Sequence, residues 1–136
     1  RKSSEGPVLE GPRLWLALSP DRNWLYERCE RRLDWMVDDG AAIVEIESLQ
    51  RLNLDPSLPV MKALGVPEIS AYLAGEIDLE TAKERIKLYT RRYAKRQMTW
   101  VRNKMGEAKT SSAQDLESLK EEFFPFIRHF LLTTPE

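Results

Sequence analysis

The chain has 136 residues, of which 42% are hydrophobic and 32% are charged, and its formal net charge is −1. This balance indicates a soluble globular domain and excludes a chain that is disordered throughout. No apolar run approaches the roughly 20 residues that a membrane-spanning helix needs, so we expect no membrane partner. One cysteine, Cys29, and one histidine, His129, exclude an internal disulfide and a Cys/His metal cluster. We expect a cytoplasmic protein, with His129 as a structural or surface residue.

The N-terminal segment, residues 1–12, is polar with Gly and Pro, and predicts a flexible lead-in. It is followed by the apolar run LWLAL at residues 14–18, which lies between Pro12 and Pro20. Its length and flanks predict a strand that is buried on both faces. No second run of this kind follows. We therefore expect its hydrogen-bonding partners on a part of the protein outside this sequence, or on a second copy in a dimer.

The first predicted helix begins with Ser19 as N-cap and Pro20 at the first helical position, and it ends near Gly40. One apolar stripe runs along it, which predicts that Cys29 is a core residue and not a reactive thiol. The stripe consists of Leu25, Cys29, Leu33 and Met36.

The opposite side of this helix carries Trp24 and Trp35, with Arg28 and Arg31 between them. A second apolar face requires a second partner. The pattern favours packing against another helix.

Two short helical segments are predicted after residue 56. The first begins at Ser57 and Pro59 and ends at Gly65, and the second begins at Pro67 and ends at Gly75.

A long helix then begins with Asp78 as N-cap and extends to about Asn103. Residues 106–112 form a polar break. The sequence SAQD at residues 112–115, with Asp115 last, is predicted to cap a further helix. Pro125 is expected to interrupt the Phe-rich end of the chain.

The long helix is unusually basic. Residues 83–104 contain nine cations and only one acid, Glu84, so ion pairs within the helix cannot neutralise them. Arg91, Lys95 and Arg102 line the face opposite the apolar stripe, and Gln97 lies within that stripe, where a buried amide needs a hydrogen-bond partner. The stripe consists of Leu79, Ala82, Ile86, Tyr89, Tyr93 and Trp100. Two interpretations remain open: a surface for nucleic-acid phosphates, or a solvated helix face.

The sequence TRRYAKRQMTWVR at residues 90–102 resembles the TR-x-x-AKRQ-x-TW-x-R signature of tRNA dimethylallyltransferases, the IPP transferase family. Three further segments agree in order and spacing. Leu25, Arg28, Arg32 and Met36 resemble the family's L-x-x-R-x-x-x-R-x-x-x-M helix, residues 62–68 resemble its A-x-G-Y-[RK]-E turn, and residues 72–77 resemble its YL-x-GE segment. The resemblance covers about residues 13–104.

The sequence pattern predicts a mainly α chain with one short buried-type strand, and the resemblance implies that it forms part of an α/β fold like that of P-loop kinases in the complete enzyme. Its domains would be the lead-in at residues 1–12, a transferase part with tRNA-binding helices at 13–105, and a polar break with a helical tail at 106–136. The implied reaction moves a dimethylallyl group from dimethylallyl pyrophosphate to the N6 amine of the adenosine beside the anticodon, with magnesium as cofactor of the complete enzyme.

The family's phosphate loop and general-base aspartate lie in its N-terminal half. No G-x-x-x-x-G-K-[ST] occurs in this sequence. We therefore expect a C-terminal portion that lacks the P-loop half, contains no catalytic residue or metal ligand, and is inactive alone. Its implied partners are the tRNA anticodon stem-loop, the pyrophosphate donor and the N-terminal half.

The resemblance also implies site residues. Arg32 matches the arginine that contacts the donor pyrophosphate. The turn that contacts tRNA consists of Lys62, Ala63, Leu64, Gly65, Val66 and Pro67. The helix residues that contact tRNA are Arg91, Lys95, Arg96, Gln97, Met98, Thr99, Trp100, Val101 and Arg102.

One departure concerns the turn, where Val66 and Pro67 replace the family's aromatic and cationic residues. Two alternatives without catalysis also remain. The chain could be an independent helical RNA-binding module, or a protein-interaction domain that uses the Trp24 and Trp35 face.

Overall fold

The computed structural model describes residues 11–133, so nearly all of the predicted lead-in at residues 1–12 lies outside the described residues. The elements in chain order are β1 (Leu16–Leu18), α1 (Arg22–Asp38), α2 (Ala41–Arg51), a 3₁₀ turn (Pro59–Lys62), α3 (Val66–Leu73), α4 (Leu79–Lys104), β2 (Lys109–Ser111) and α5 (Leu116–Thr133). The predicted mainly helical fold class is confirmed. The chain forms two compact units, of which the first is Asp21–Thr99 and the second contains β1, β2, α5 and the end of α4 from Trp100.

The unit Asp21–Thr99 has one hydrophobic core, to which each of its four α-helices contributes. Its buried members are Leu33, Val37, Ile46, Ile69 and Ile86. Leu33 and Val37 lie one turn apart on α1, so a single face of this helix enters the core. Cys29 is only half-buried and lines a cleft on the outer surface of α1, so its predicted place in the core is wrong.

Side-chain caps set the starts of the two long helices. Asp21 caps α1, because its Oδ1 accepts hydrogen bonds from the backbone N–H of Asn23 at 2.9 Å and of Trp24 at 3.0 Å. The predicted cap at Ser19 is therefore wrong by two residues. Asp78 caps α4 as predicted, since its Oδ1 accepts from the N–H of Thr81 at 2.6 Å. The helix ends at Lys104, one residue beyond the prediction.

The two short helical segments around residues 57–75 are confirmed as the 3₁₀ turn and α3. Gly65 separates them with a φ of 97°, a conformation that a residue with a side chain rarely adopts. The carboxylate of Glu68 accepts a hydrogen bond from the N–H of Gly65 at 3.2 Å and so holds the start of α3. Helix α2, by contrast, was not predicted, although Gly40 ends the preceding helix as expected with a φ of 77°.

The second unit contains a two-stranded parallel sheet. Leu16 pairs with Lys109, Ala17 with Thr110 and Leu18 with Ser111. The expectation that β1 finds its partner outside this sequence is therefore wrong for the edge that pairs with β2. The partner strand lies in the predicted polar break, where the short polar sequence KTS carries no apolar signal. Leu18 is 57% exposed, so β1 is not buried on both faces.

Helix α5 continues through Pro125, so the predicted interruption is wrong. Proline removes one backbone donor and disturbs the preceding turn, but here the helix continues for eight residues beyond it. Asp115 caps α5 as predicted, since its Oδ1 accepts from the N–H of Ser118 at 2.9 Å. His129 is exposed, as expected. Among residues 11–133, no helix is both long and apolar enough to cross a membrane.

A ladder of ion pairs joins α1 to α4. Its acids are Glu30, Asp34 and Asp38, one turn apart on α1, and its cations are Arg91, Lys87 and Lys83, one turn apart on α4. The residue numbers of the acids increase along this contact while those of their cation partners decrease. The two helices therefore run antiparallel here. The Nζ of Lys83 lies 3.1 Å from Asp34 Oδ1 and 3.0 Å from Asp38 Oδ1, and the Nζ of Lys87 lies 3.2 Å from Asp34 Oδ1.

Asp34 is the centre of this ladder. Burial by itself would raise the pKa of its carboxyl, but the ammonium groups of Lys83 and Lys87 outweigh this effect and lower the pKa below its ordinary value of 3.8. The same contacts, first with Asp38 and then with Asp34, raise the pKa of Lys83. The ladder therefore stabilises the fold at neutral pH.

We expect the Asp34→Asn variant to lose up to about 1 kcal/mol of unfolding free energy at pH 7, a small value because this carboxylate is partly exposed. A lowered carboxyl pKa contributes stability above pH 3.8 that is lost as the pH falls through the folded-state pKa. The variant should therefore show a shallower loss of stability between pH 5 and pH 3, measured by urea denaturation across that range.

Asp39→Asn is the matched control, because no ion pair of Asp39 occurs within the part of the chain that the structure describes. Identical pH profiles for Asp34→Asn and Asp39→Asn would contradict a stabilising role for the ladder.

Candidate functional site

The basic helix α4 divides its cations between two tasks. Lys83, Lys87 and Arg91 belong to the ladder with α1, and the Nε of Arg91 donates to Glu30 Oε1 at 2.6 Å. The other six are exposed and form no ion pair with any residue that the structure describes. These are Arg85, Arg92, Lys95, Arg96, Arg102 and Lys104. Of the predicted tRNA-contacting cations, Arg91 therefore has a carboxylate partner, whereas Lys95, Arg96 and Arg102 remain available to an anion.

The predicted apolar stripe of α4 is buried only along its first half. Ala82 and Ile86 are buried, but Tyr89 is 39% exposed and Tyr93 is 53% exposed. Each tyrosine has an arginine three residues later whose guanidinium lies over its ring. Arg92 lies 5.8 Å from the ring centre of Tyr89, and Arg96 lies 5.7 Å from that of Tyr93. The second half of the stripe is therefore an exposed surface of aromatic rings and cations.

The Gln97 side chain lies on the same exposed part of α4. Its amide is exposed, and its Nε2 donates a hydrogen bond to the Tyr93 hydroxyl at 2.8 Å. The expectation of a buried amide is wrong, because the side chain lies on the exposed part of the stripe, but the expected hydrogen-bond partner is present.

A pocket of about 740 Å³ lies between the turn before α3 and this exposed part of α4. From the predicted tRNA-contacting set it brings together Lys62, Ala63, Leu64, Pro67 and Arg96. Its further lining residues, which the sequence reasoning did not include, are Glu68, Tyr89, Arg92 and Tyr93. The four α4 residues of the pocket follow the spacing i, i+3, i+4, i+7, which marks one face of a helix and was a usable signal.

The other predicted contact residues lie elsewhere. Gly65 is buried and Val66 packs against the core, so these two residues support the turn and do not line the pocket. Lys95 is exposed outside the pocket, and Met98 and Thr99 are half-buried. The remaining three, Trp100, Val101 and Arg102, belong to the second compact unit.

A second cleft, of about 470 Å³, lies on α1 and contains Arg32. The structure adds two guanidinium groups that were not in the predicted donor site, so that the lining consists of Arg28, Cys29, Arg31, Arg32 and Trp35. Three arginines with exposed side chains and no acid among the lining residues suit an anion that carries several charges.

Trp35 is not packed against another helix of the described unit, so the predicted packing of this face is wrong at that residue. Trp35 is 68% exposed, and Trp24 is partly covered by the guanidinium of Arg28, which lies 4.9 Å from its ring centre. Trp35 therefore forms part of the lining of the arginine-lined cleft, and Trp24 does not.

Acidic and sulfur side chains do not form a metal site within residues 11–133, where no group of three or more His, Cys, Asp or Glu could hold a metal ion.

Known proteins resemble this chain over most of its length. The family model named IPP transferase matches residues 2–104. The tRNA dimethylallyltransferase of Parvibaculum lavamentivorans is 46% identical over 127 residues, which are 93% of this chain and 40% of that protein. The corresponding protein of Paramagnetospirillum magneticum is 48% identical over 120 residues, which are 88% of this chain and 38% of that protein.

The solved structures agree with these matches. The full-length tRNA isopentenylpyrophosphate transferase of Bacillus halodurans superimposes with a TM-score of 0.75 at 34% identity, over 87% of this chain and 39% of that one. The chain thus spans about two fifths of the length of the relatives it matches. The family model covers more than half of the chain, and the exposed cations and aromatic rings lie in the segment that it matches. The chain belongs to the IPP transferase family.

Proposed function

We propose that this chain forms the part of a tRNA dimethylallyltransferase that holds the tRNA anticodon stem-loop and contacts the pyrophosphate of the donor. The supporting observation is that one compact unit presents two cation-lined cavities, one with exposed tyrosines and one with three arginines. In the reaction, the N6 amine of an adenosine forms a bond to the allylic carbon of dimethylallyl pyrophosphate, the bond from that carbon to the pyrophosphate oxygen breaks, pyrophosphate leaves, and the amine gives up one proton. We also propose magnesium as the cofactor of the complete enzyme and a cytoplasmic location, as the family resemblance implies.

The exposed cations of α4 suit the RNA. Proteins gain most of their non-specific affinity for nucleic acids from phosphate contacts, and six cations of α4 have no carboxylate partner among residues 11–133. Arg96 lies over the ring of the exposed Tyr93, on which unpaired bases can stack, and Lys95 is exposed on the opposite side of the helix. We assign the tRNA contact to this part of α4 and to the turn at residues 62–67.

The arginine-lined cleft suits the leaving group. Negative charge develops on the pyrophosphate as its bond to the allylic carbon breaks, and guanidinium donors placed there stabilise that charge. Arg32, with Arg28 and Arg31 beside it, would provide such donors. This cleft also favours a transferase over an RNA-binding module without catalysis, which would have no need of a separate site for a small anion.

We expect the Lys95→Ala variant of the 136-residue protein to bind an anticodon stem-loop RNA more weakly and with a flatter salt dependence. One lost phosphate contact should reduce the slope of log Kd against log salt concentration by about 0.7 to 0.9. Fluorescence anisotropy titrations at several salt concentrations measure both quantities.

Arg51→Ala is the matched control for Lys95→Ala, because it removes one exposed positive charge from α2, outside both cavities. Gln97→Ala should leave the salt slope nearly unchanged, since its side chain is neutral. If Lys95→Ala and Arg51→Ala have the same slope as the unmodified protein, the basic face of α4 is only solvated.

We expect the Arg32→Ala variant to bind inorganic pyrophosphate roughly 10-fold or more weakly, since a charge-assisted contact is lost, while its affinity for the stem-loop RNA changes little. Isothermal titration calorimetry with pyrophosphate measures the change. Arg22→Ala, which removes an exposed arginine from the start of the same helix outside the cleft, is the control. An equal loss of pyrophosphate affinity in both variants would mean that Arg32 acts only through general electrostatic attraction.

We also expect the 136-residue protein to transfer no dimethylallyl group to tRNA by itself, because its sequence contains no phosphate loop. Incubation with radiolabelled dimethylallyl pyrophosphate and tRNA tests this expectation, and label incorporated above a protein-free blank would contradict it.

A further inference from the structure

We infer that the pocket between the turn and α4 receives one unpaired nucleobase of the RNA other than the adenosine that is modified, and that Tyr93 is its stacking platform. This inference rests on the proposed tRNA-binding function and names what part of the RNA occupies the pocket.

The dimensions and lining of the pocket suit a single nucleotide. A volume of about 740 Å³ lies within the range of ordinary small-ligand sites. Ala63, Leu64 and Pro67 contribute apolar surface, to which Tyr89 and Tyr93 add flat aromatic rings. Lys62, Arg92 and Arg96 add cations, and the single acid, Glu68, already accepts a hydrogen bond from Gly65. Apolar and aromatic surface beside cations is what a base attached to a phosphate requires.

Contacts within α4 fix the position of the Tyr93 ring in the absence of a ligand. Its hydroxyl accepts a hydrogen bond from Gln97 at 2.8 Å, and the guanidinium of Arg96 lies 5.7 Å from its ring centre. Even so, its side chain is 53% exposed, so a large part of the ring has no protein contact. Unpaired RNA bases stack on such rings and on arginine planes, and a ring that is already fixed loses little entropy when they do.

The base in this pocket differs from the acceptor adenosine because the two cavities are separate. No residue lines both the pocket and the arginine-lined cleft, which lies on α1. The acceptor amine must reach the carbon that carries the pyrophosphate, so the acceptor base belongs near the cleft. The pocket is therefore left for a neighbouring base of the same loop, which would hold the RNA in register.

The test combines changes in the RNA with changes in the protein. Anticodon stem-loop RNAs with a single abasic site at each loop position are titrated against the 136-residue protein and its Tyr93→Ala variant. In the unmodified protein, one abasic site other than the acceptor position should weaken binding roughly 5- to 150-fold, as expected for one lost stacking contact. The same abasic site should have almost no effect on Tyr93→Ala, because its stacking partner is already absent.

Two further variants complete the design. Tyr93→Phe keeps the ring and loses only the bond to Gln97, so it should retain the effect of the abasic site. Leu88→Ala truncates another exposed apolar residue of α4 that does not line the pocket, and it should bind every RNA like the unmodified protein. Because Tyr93 is exposed, its truncation should leave the fold intact, which circular dichroism verifies.

The outcomes separate this inference from the proposed function. If stem-loop binding depends on Lys95 but every abasic site has the same effect with and without Tyr93, the pocket does not hold a base, and the proposed function stands. If the abasic site coupled to Tyr93 is the acceptor position, the inference of a second base is overturned. If the protein does not bind the stem-loop at all, both are overturned.

Discussion

The ion pairs between α1 and α4 are the constraint on which both cavities depend. Glu30, Asp34 and Asp38 use one face of α1 to hold α4, and this leaves Arg28, Arg31 and Arg32 to line the cleft. An acid on the cleft side would neutralise an arginine there. The separation of opposite charges onto two sides of α1 thus both attaches the helix and keeps the cleft positive.

The same constraint divides α4 along its length. Near its start, Ala82 and Ile86 are buried, and Lys83 and Lys87 pair with acids of α1. Further along the helix, Tyr89 and Tyr93 are exposed, and Arg92 and Arg96 lie over their rings while facing the turn across the pocket. A single continuous helix therefore begins as a structural element and continues as the exposed surface to which we assign the RNA contact. Its buried first half holds the second half in place.

The backbone conformation of the turn before α3 places the other side of the pocket. Gly65 adopts a positive φ, Glu68 holds its N–H, and the residues before it then face Tyr89 and Tyr93 of α4. Val66 packs into the core beneath, which explains how the turn keeps its position although it lacks the aromatic and cationic residues usual in its family. The loss of that cation leaves Lys62 as the one positive charge that this turn contributes to the pocket lining.

Much of this molecule was determined by local sequence signals. Asp78, Gly65 and the short spacing of prolines and glycines set the ends of helices, because caps and positive φ values depend on a few adjacent residues. The ordered motifs likewise identified the family, and Arg32 and the turn both line cavities. Tertiary structure alone decided the rest. The KTS strand has no apolar pattern, and only its pairing with β1 makes it a strand. Whether a cation of α4 is paired or available, and whether a tyrosine is core or surface, depends on what lies opposite it, and helical periodicity holds no information about that neighbour.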